Sequence, residues 1–355
     1  MRNAPVCTGR ARGIFGLLIP WKINNYPVKK NIALVAGGDS GEYVISIESA
    51  KMIQRNIDPT LFDVYTIVIH KKKWVFLDDS GAEHPVDKND FSVVREGKKV
   101  MFDCAFITIH GTPGEDGKLQ GYFDLMGLPY TTSGMLSSAL TFNKYFCNQM
   151  VGRWGIPVAR SVKFRRGHNP SLEEVLGQVN LPVFVKPNKG GSSLGTNFVR
   201  EQSELLEAIE MGFAHDDEVL VEEYLQGTEL TCGAFRQDQH VRVLPVTEIV
   251  SKTEAQFFDF KAKYTKGAAD EITPARITNE LSARVKETTK LLYEKLELKG
   301  LARIDFIYSK GQLFFLEANI TPGMAETSIV PQQAAFEGIA IRELFTIVIQ
   351  EALRS

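Results

Sequence analysis

The residues with the clearest chemical potential lie near the C-terminus, in two apolar segments joined by a short turn. The first segment carries Arg303 and Asp305, and the second carries Glu317 and Asn319. Their spacing predicts a β-hairpin with the three-residue turn 309–311, which brings these side chains to one face. Two carboxylates and an amide oxygen this close together repel one another unless a hard cation lies between them. Asp305, Glu317 and Asn319 therefore predict a magnesium site for phosphoryl chemistry, in preference to a solvated polar face.

A glycine- and serine-rich loop, with Ser192 and Ser193 at its centre, follows Lys186 at the end of an apolar strand. The backbone amides of such a loop can surround an anion, and a lysine in that position is costly unless it meets one. The loop is not a P-loop, because the lysine precedes the glycines and no helix follows them. It predicts a phosphate site, with a flexible turn as the alternative. Lys144, on a predicted helix, is a second candidate cation, with a solvated lysine as the alternative.

An acidic segment follows the next predicted strand and contains Glu222, Glu223, Leu225 and Glu229. One carboxylate can accept the exocyclic amine of adenine and another can accept ribose hydroxyls, while the strand backbone bonds the adenine edge. Read alone, the segment is an ordinary acidic loop. In series with the loop and the hairpin, it predicts the nucleoside part of an ATP site.

These residues require several elements to position them, and the chain of 355 residues has room for two or three domains. Strands alternate with helices after residue 30, which predicts a parallel α/β sheet at residues 30–132. We expect a central domain at 133–227 and a C-terminal domain at 228–355. The polar segment 251–274 is predicted to be a lid, and residues 1–29 an extension outside the fold.

Composition excludes several classes of function. The net charge is −2, from 41 basic and 43 acidic residues, so no overall field favours nucleic acid or an anionic membrane. The four cysteines are far apart, without the spacing of a zinc or redox site. No stretch after the first thirty residues has the roughly 18 apolar residues that span a bilayer. These features predict a reduced, cytoplasmic setting.

The order of these features resembles the ATP-grasp enzymes and, within them, the D-alanine:D-alanine ligases. The resemblance runs from about Lys30 to Arg354 and rests on strings that occur in the same order. They are GGDSGEYVIS, HGTPGEDGKLQG, KPNKGGSSLG, FDFKAKY and EANITPGMAETS. The resemblance implies an ATP-grasp fold that combines α/β and α+β parts in three domains, with the nucleotide held between the central and C-terminal domains.

The resemblance also implies an activity, in which ATP phosphorylates one D-alanine and the amine of a second attacks the acyl phosphate. The product is a precursor of peptidoglycan. Two magnesium ions, or manganese in their place, would serve as cofactors, and the protein would be a homodimer with no nucleic-acid or membrane partner. A related ligase that uses D-lactate, D-serine or another nucleophile stays open as an alternative, as does a module that binds ATP without turnover.

Further residue roles follow from the resemblance alone. Lys263, in the predicted lid, would join Lys144 and Lys186 in clamping the phosphates. Arg303 would stabilise the oxyanion of the tetrahedral intermediate. Gly323 and Ser328 would receive the carboxylate of the second substrate.

The first substrate would be held by two other residues. Glu42 would bind its ammonium group and His110 its carboxylate, although from the residues alone a helix-end carboxylate and an ordinary strand-end histidine are preferred. Ser192 and Tyr264 would form a hydrogen-bonded network with Glu42, and Tyr264 favours a dipeptide product.

The chain departs from the usual pattern at three positions. Tyr43 and Val44 stand where an Arg-Glu pair is common, and Thr327 stands where histidine is common. These departures bear on the first loop and on the pocket for the second substrate. They leave the predicted phosphate and metal sites unchanged.

Overall fold

A five-stranded sheet comes first in the computed structural model, which describes residues 28–191, 195–251 and 269–354. Its centre is parallel and its edge is an antiparallel extension, in the order β4-β3-β2-β1-β7. The strands are β1 (Lys30–Gly37), β2 (Phe62–His70), β3 (Lys73–Leu77), β4 (Glu83–Pro85) and β7 (Cys104–Ile107); β5 (Val93–Arg95) and β6 (Lys98–Val100) form a separate pair. The apolar runs that predicted parallel strands here are confirmed.

A second sheet, of four antiparallel strands, follows in the chain in the order β10-β9-β11-β8. Its strands are β8 (Ser161–Arg165), β9 (Val183–Pro187), β10 (Asn197–Val199) and β11 (Glu218–Glu223). Valines of β9 and β11 pack against the second of two helices on one face of this sheet, so the strands read as apolar runs.

A third sheet contains the predicted hairpin and has the order β14-β13-β12-β15-β16, all antiparallel. The strands are β12 (Thr228–Gln237), β13 (His240–Ser251), β14 (Ala269–Ile272), β15 (Ala302–Ser309) and β16 (Gln312–Asn319). The described ends of the predicted lid include the last residue of β13 and the whole of β14. That residues 251–274 form a lid stays a prediction.

Helices cover the sheets and connect them. They are α1 (Tyr43–Asn56), α2 (Lys118–Met126), α3 (Met135–Phe142), α4 (Lys144–Arg153), α5 (Leu172–Leu176), α6 (Leu205–Phe213), α7 (Asn279–Lys295), α8 (Ile329–Phe336) and α9 (Ile341–Leu353). The sequence pattern around Lys144 predicts one helix over 135–154. The structure has two helices there, because Asn143 leaves the helical conformation and caps α4 by accepting a hydrogen bond from Phe146 N–H. Sequence patterns did not indicate α2 or α8, which are short.

One apolar cluster joins the first sheet to the third. Ile32 and Leu34 of β1 lie in the same buried cluster as Phe345 of α9 and Phe235 of β12. The rings of Phe106 and Phe345 meet edge to face at 5.7 Å. The N-terminal and C-terminal parts therefore share a core, which fixes the distance between the residues that each contributes to a site. The division into domains at 30–132, 133–227 and 228–355 stays a prediction.

The three cysteines in the described residues are buried and unpaired with one another. Burial raises the pKa of each thiol to about 12, which keeps Cys104, Cys147 and Cys232 protonated and unreactive. Within the described residues, no helix is long and apolar enough to cross a membrane. The expectation for residues 1–29 falls almost wholly outside the described residues.

Replacing Gly300 by alanine tests the junction between the two parts. Gly300 has φ +62°, and a Cβ there would lie 1.7 Å from the carbonyl oxygen of Thr131. Gly311, with φ +81°, has open space around it and is the matched control. We expect Gly311→Ala to lower the free energy of unfolding by about 1–2 kcal/mol, from backbone strain alone. Gly300→Ala should lower it by more than about 3 kcal/mol, and equal urea midpoints for the two variants would contradict this packing.

Candidate active site

A cavity of about 170 Å³ lies where the first and third sheets face each other. Its walls come from the loops after β1 and β7, from the middle of the third sheet, and from the N-terminus of α8. The residues that line it are Glu42, Ile45, His110, Glu115, Gly191, Glu229, Ile249, Glu271, Arg303, Asp305, Asn319, Thr321, Pro322, Gly323, Ser328 and Ile329. Eight of the predicted site residues are among them.

The hairpin of β15 and β16 places the predicted metal ligands side by side, but by a different route from the one expected. The turn has two residues, Lys310 and Gly311, both with positive φ, since Ser309 pairs with Gln312. A β-bulge then shifts the register between Asp305 and Phe306. As a result Asp305 lies directly opposite Glu317, and Arg303 opposite Asn319. The three-residue turn was wrong, and the shared face is confirmed.

Arg303 and Asp305 form the electrostatic centre of the cavity. The guanidinium donates two parallel hydrogen bonds of 2.9 Å, from its Nε and an Nη atom, to the two oxygens of Asp305. Asn319 Nδ2 donates a third at 2.9 Å, and the hydroxyl of Thr231 a fourth. Burial alone would lower the pKa of Arg303, but Asp305, Glu317 and Glu271 together raise it above its ordinary value. Arg303 is therefore a permanent cation.

Lys144 links the hairpin to the glycine-rich loop. It is the first residue of α4, and its ammonium group donates to the carbonyl oxygen of Gly190 and lies 3.9 Å from Glu317 Oε2. The chain of this loop also pairs with the start of α4, through a bridge between Asn143 and Lys189. Lys144 is thus not the solvated lysine of the alternative interpretation, since its side chain is only 14% exposed.

Lys186 and Glu222 face each other across neighbouring strands of the second sheet. Lys186 Nζ lies 2.6 Å from Glu222 Oε1, and Asn148 Nδ2 donates to the other oxygen at 3.2 Å. Glu223 comes next on β11 and points to the opposite face, where Arg160 and Asn180 hold its carboxylate. The structure therefore brings the side chains of Lys186 and Glu222 together, and it does not bring that of Glu223 to them.

The other two residues of the predicted nucleoside segment lie beyond β11. Leu225 is half-buried in the connection to β12, and Glu229 is on β12 between Ile249 and Ile307 of the adjacent strands. Glu229 lines the cavity, so the segment runs from the second sheet towards the hairpin.

Glu42 occupies the N-cap position of α1, but its side chain makes no capping hydrogen bond. The residue is buried, and its Oε2 lies only 2.8 Å from where a Cβ of Gly191 would stand. Only glycine leaves room for this approach of the loop backbone to the carboxylate. The carboxylate therefore faces the glycine-rich loop and the cavity, which argues against the simple helix-end interpretation.

His110 lies in the loop after β7 and is buried. Its Nε2 is buried without a hydrogen-bond partner among the described residues. Burial lowers the pKa of His110, and the nearby Arg303 lowers it further, while Glu42 and the backbone of Thr321 oppose this. The ring is therefore not the satisfied strand-end histidine of the alternative, and its orphaned nitrogen lies beside the cavity.

Gly323 and Ser328 lie side by side at the start of α8. Ser328 is the N-cap residue, yet its hydroxyl makes no capping bond, and its Oγ is 3.1 Å from the position of a Cβ on Gly323. A helix N-terminus with a hydroxyl at its mouth suits a carboxylate, because the backbone N–H groups of the first turn point at it.

Glu115 was not predicted as a site residue, although it belongs to the HGTPGEDGKLQG string. Its Oε2 accepts a hydrogen bond of 2.7 Å from the N–H of Gly111. Burial raises the pKa of Glu115 to about 8, and the carboxylate of Glu42 adds to the rise. In the sequence, Glu115 is the first of two adjacent acidic residues in a glycine-rich turn, and this pattern could have identified it as a candidate site residue.

Glu271 was also missed. It lies on β14, where its Oε2 accepts a hydrogen bond of 2.8 Å from Gln332 of α8. Burial raises the pKa of Glu271 above its ordinary value, with Gln332 and Arg303 acting against the rise. No sequence pattern distinguishes Glu271, because it lies in a polar segment whose residue types are usually exposed to solvent.

The remaining predicted residues, Ser192, Ser193, Lys263 and Tyr264, lie outside the described residues. Asp305, Glu317 and Asn319 supply the oxygen atoms that a hard divalent cation prefers. Among the described residues, no group of three or more His, Cys, Asp and Glu side chains is arranged for a metal ion. The third donor here is an amide, which is compatible with magnesium because this ion accepts few protein ligands and keeps positions for phosphate oxygens.

Comparison with known proteins decides the family. Residues 31–133 match the model of the D-ala D-ala ligase N-terminus, and residues 150–350 match that of the D-ala D-ala ligase C-terminus. The chain belongs to the D-alanine–D-alanine ligase family. The ATP-grasp fold expected for it is confirmed, with a partly parallel first sheet and antiparallel second and third sheets.

Individual relatives agree with this assignment to the ligase family. The D-alanine--D-alanine ligase of Parabacteroides distasonis is 46% identical over 92% of this chain and 99% of its own length. The crystal structure of the VanG D-Ala:D-Ser ligase from Enterococcus faecalis has a TM-score of 0.82 at 32% identity, covering 91% of this chain and 99% of that one. A D-alanine--D-Alanine ligase from Bacillus anthracis complexed with ATP has a TM-score of 0.72 at 26% identity, with 92% and 97% covered.

The raised pKa of Glu115 predicts a pH dependence of stability. The ordinary pKa is 4.5, and the folded ligase raises it to about 8, so the folded state holds a proton that the unfolded state releases between these values. Stability from this group is therefore lost as the pH rises through this window. We expect the stability of Glu115→Gln relative to wild type to increase from about pH 4.5 to about pH 8. Parallel curves of unfolding free energy against pH would contradict the environment described for Glu115.

Proposed function

We propose that this protein joins two D-alanine molecules into D-alanyl-D-alanine at the expense of ATP, for peptidoglycan synthesis. The observation that carries the proposal is the cavity in which Glu42 and His110 of the N-terminal part face Arg303 and Ser328 of the C-terminal part. Such a cavity offers carboxylates, a permanent cation and a helix N-terminus to small zwitterions. The high similarity to D-alanine--D-alanine ligases over nearly their whole length supports it.

In this proposal ATP lies between the second and third sheets. Lys144, Lys186 and the lid residue Lys263 bind its phosphates, together with the loop that contains Ser193. The segment of Glu222, Glu223, Leu225 and Glu229 binds the nucleoside. Because the side chain of Glu223 is held by Arg160, this residue contributes its backbone to the adenine edge. The pairing of Lys186 with Glu222 supports a preformed site whose lysine is already oriented.

Asp305, Glu317 and Asn319 are proposed to hold two magnesium ions, for which manganese can substitute. Ions bound by these residues would supply positive charge to the phosphates. The contact of Lys144 with Glu317 supports this proposal. It shows that the Glu317 carboxylate already attracts a cation, the ammonium group of Lys144, at the place where the phosphates are proposed to bind.

The first D-alanine would be bound by Glu42 through its ammonium group and by His110 through its carboxylate. Phosphoryl transfer from ATP to this carboxylate gives an acyl phosphate and ADP. The amine of the second D-alanine then attacks the carbonyl carbon, loses a proton and displaces inorganic phosphate as the amide bond forms. Arg303 stabilises the oxyanion that develops, because its charge is fixed and its position is set by Asp305.

The second D-alanine would be held by its carboxylate at Ser328 and the backbone near Gly323. Ser192 and Tyr264 would connect with Glu42 to close the site. The homodimer stays a prediction from the resemblance to the family, and the cytoplasmic location stays a prediction from the composition and the separated cysteines.

One assay tests the proposed reaction against its alternatives. Purified protein with ATP and magnesium is given D-alanine alone or with D-serine or D-lactate, and ADP release and the mass of the product are measured. We expect stoichiometric ADP and D-alanyl-D-alanine as the dominant product. A depsipeptide or a mixed D-alanyl-D-serine product in excess would assign the chain to a related ligase. ATP binding without ADP release would assign it to a binding module.

Replacing Glu317 by glutamine tests the metal site, because the change removes one charge at nearly constant shape. We expect the magnesium concentration for half-maximal ADP release to rise by about ten-fold or more, which corresponds to about 1.4 kcal/mol. Glu294→Gln, on the exposed face of α7, is the control and should leave the magnesium curve unchanged. A wild-type magnesium curve for Glu317→Gln would exclude this residue as a ligand.

A further inference from the structure

Five carboxylates line the cavity: Glu42, Glu115, Glu229, Glu271 and Asp305. The proposed reaction brings two D-alanine zwitterions into this space, and each has an ammonium group that needs an anionic partner when it leaves water. Glu42 is proposed for the first ammonium group. The partner of the second, which carries the nucleophile, is not yet assigned.

Three of the remaining carboxylates are committed elsewhere. Asp305 accepts hydrogen bonds from Arg303 on both oxygens, and further bonds from Asn319 and Thr231. Glu115 is bound to the Gly111 N–H in the N-terminal loop, beside the first-substrate side of the cavity. Glu229 belongs to the segment proposed for the nucleoside. This leaves Glu271.

Glu271 lies on the side of the cavity where the second substrate is proposed to bind. Its hydrogen-bond donor, Gln332, is one helical turn after Ser328 on α8. Gln332 Nε2 also donates to the carbonyl oxygen of Thr327 at 2.7 Å, so the side chain that orients Glu271 is itself fixed to the loop before α8. In the described residues, no hydrogen bond reaches Glu271 Oε1.

The electrostatic setting of Glu271 suits a cationic ligand. Burial removes water from the charged form of this carboxyl and therefore raises its pKa. Gln332 and Arg303 only partly offset the rise. An ammonium group next to Oε1 would supply a positive charge that stabilises the ionised carboxylate. Because Ser328 and Arg303 line the same cavity, a small amino acid can place its carboxylate at the helix N-terminus and its amine towards Glu271.

We propose that Glu271 binds the ammonium group of the second D-alanine and, with Gln332, selects an amino acid over a hydroxy acid as the nucleophile. The contact is made on binding, before any covalent bond changes. The inference rests on the proposed ligation, and it adds a residue to the second-substrate site that the resemblance does not supply.

The test compares two nucleophiles in Glu271→Gln, which keeps the shape and the acceptor for Gln332 but removes the charge. With D-alanine as nucleophile, we expect the KM for the second substrate to rise about ten-fold or more, as for loss of one partly exposed charge contact. Hydroxylamine, which is uncharged at pH 7.5 and needs no amino-acid site, can trap the acyl phosphate as D-alanine hydroxamate. We expect the rate of hydroxamate formation and the KM for the first D-alanine to stay within two-fold of wild type (roughly 0.4 kcal/mol).

Asp270→Asn is the matched control, because Asp270 is adjacent on β14 and, by strand alternation, points to the opposite face. Asp270→Asn should leave the KM for the second substrate and the rate of hydroxamate formation unchanged. An unchanged second-substrate KM in Glu271→Gln would overturn the proposal, and so would an equal loss with both nucleophiles. Wild-type protein that forms hydroxamate but no dipeptide would instead overturn the proposed ligation, and with it this role of Glu271.

Discussion

The bidentate contact between Arg303 and Asp305 is the interaction on which the rest of the site depends. Both residues lie on β15, where Asp305 is buried and Arg303 is largely shielded from solvent, so each charge depends on the other. The pair sets the position of the guanidinium relative to the hairpin face that carries Glu317 and Asn319. It also makes Asp305 the meeting point of the proposed oxyanion site and the proposed metal site.

The surroundings of this pair carry more negative than positive charge. Arg303 interacts electrostatically with Asp305, Glu317 and Glu271, and Glu42 lies on the far side of the cavity. An excess of carboxylates in a partly desolvated space is unfavourable for the folded protein alone. It becomes favourable when cations enter, namely magnesium at the hairpin and ammonium groups at the two substrate positions. The site is therefore built for ligands that arrive with positive charge, and the phosphates are accepted through the metal and the lysines.

Sequence patterns predicted the sheets well and the details of their connections poorly. The runs that form β1 and β7 are almost wholly buried on both faces, so their apolar character stands out. The hairpin face was identified although the turn was misjudged, because a bulge near Leu316 compensated for the shorter turn, and bulges leave no periodic signal. Helix α8 was missed because its first turn is occupied by Ile329, Val330 and Pro331, which read as a loop or a strand.

For the candidate site, too, sequence patterns identified some residues and missed others. Lys186, Asp305 and Glu317 stand out because charged residues within apolar strands or near their ends are unusual. Glu115 and Glu271 do not, since their roles depend on which loops meet in space, and a single sequence does not encode that pairing in its local pattern. The roles implied by the family resemblance, such as those of Glu42 and His110, were stronger guides there than local composition, and both residues lie at the cavity.

The departure at Thr327 has a structural counterpart that bears on the second-substrate pocket. A histidine is common in this position, and here the residue contributes its backbone carbonyl, which Gln332 binds while also binding Glu271. A side chain on α8 thus holds both the loop before the helix and strand β14. The geometry at Ser328 and the position of the Glu271 carboxylate at the cavity are for this reason coupled through Gln332.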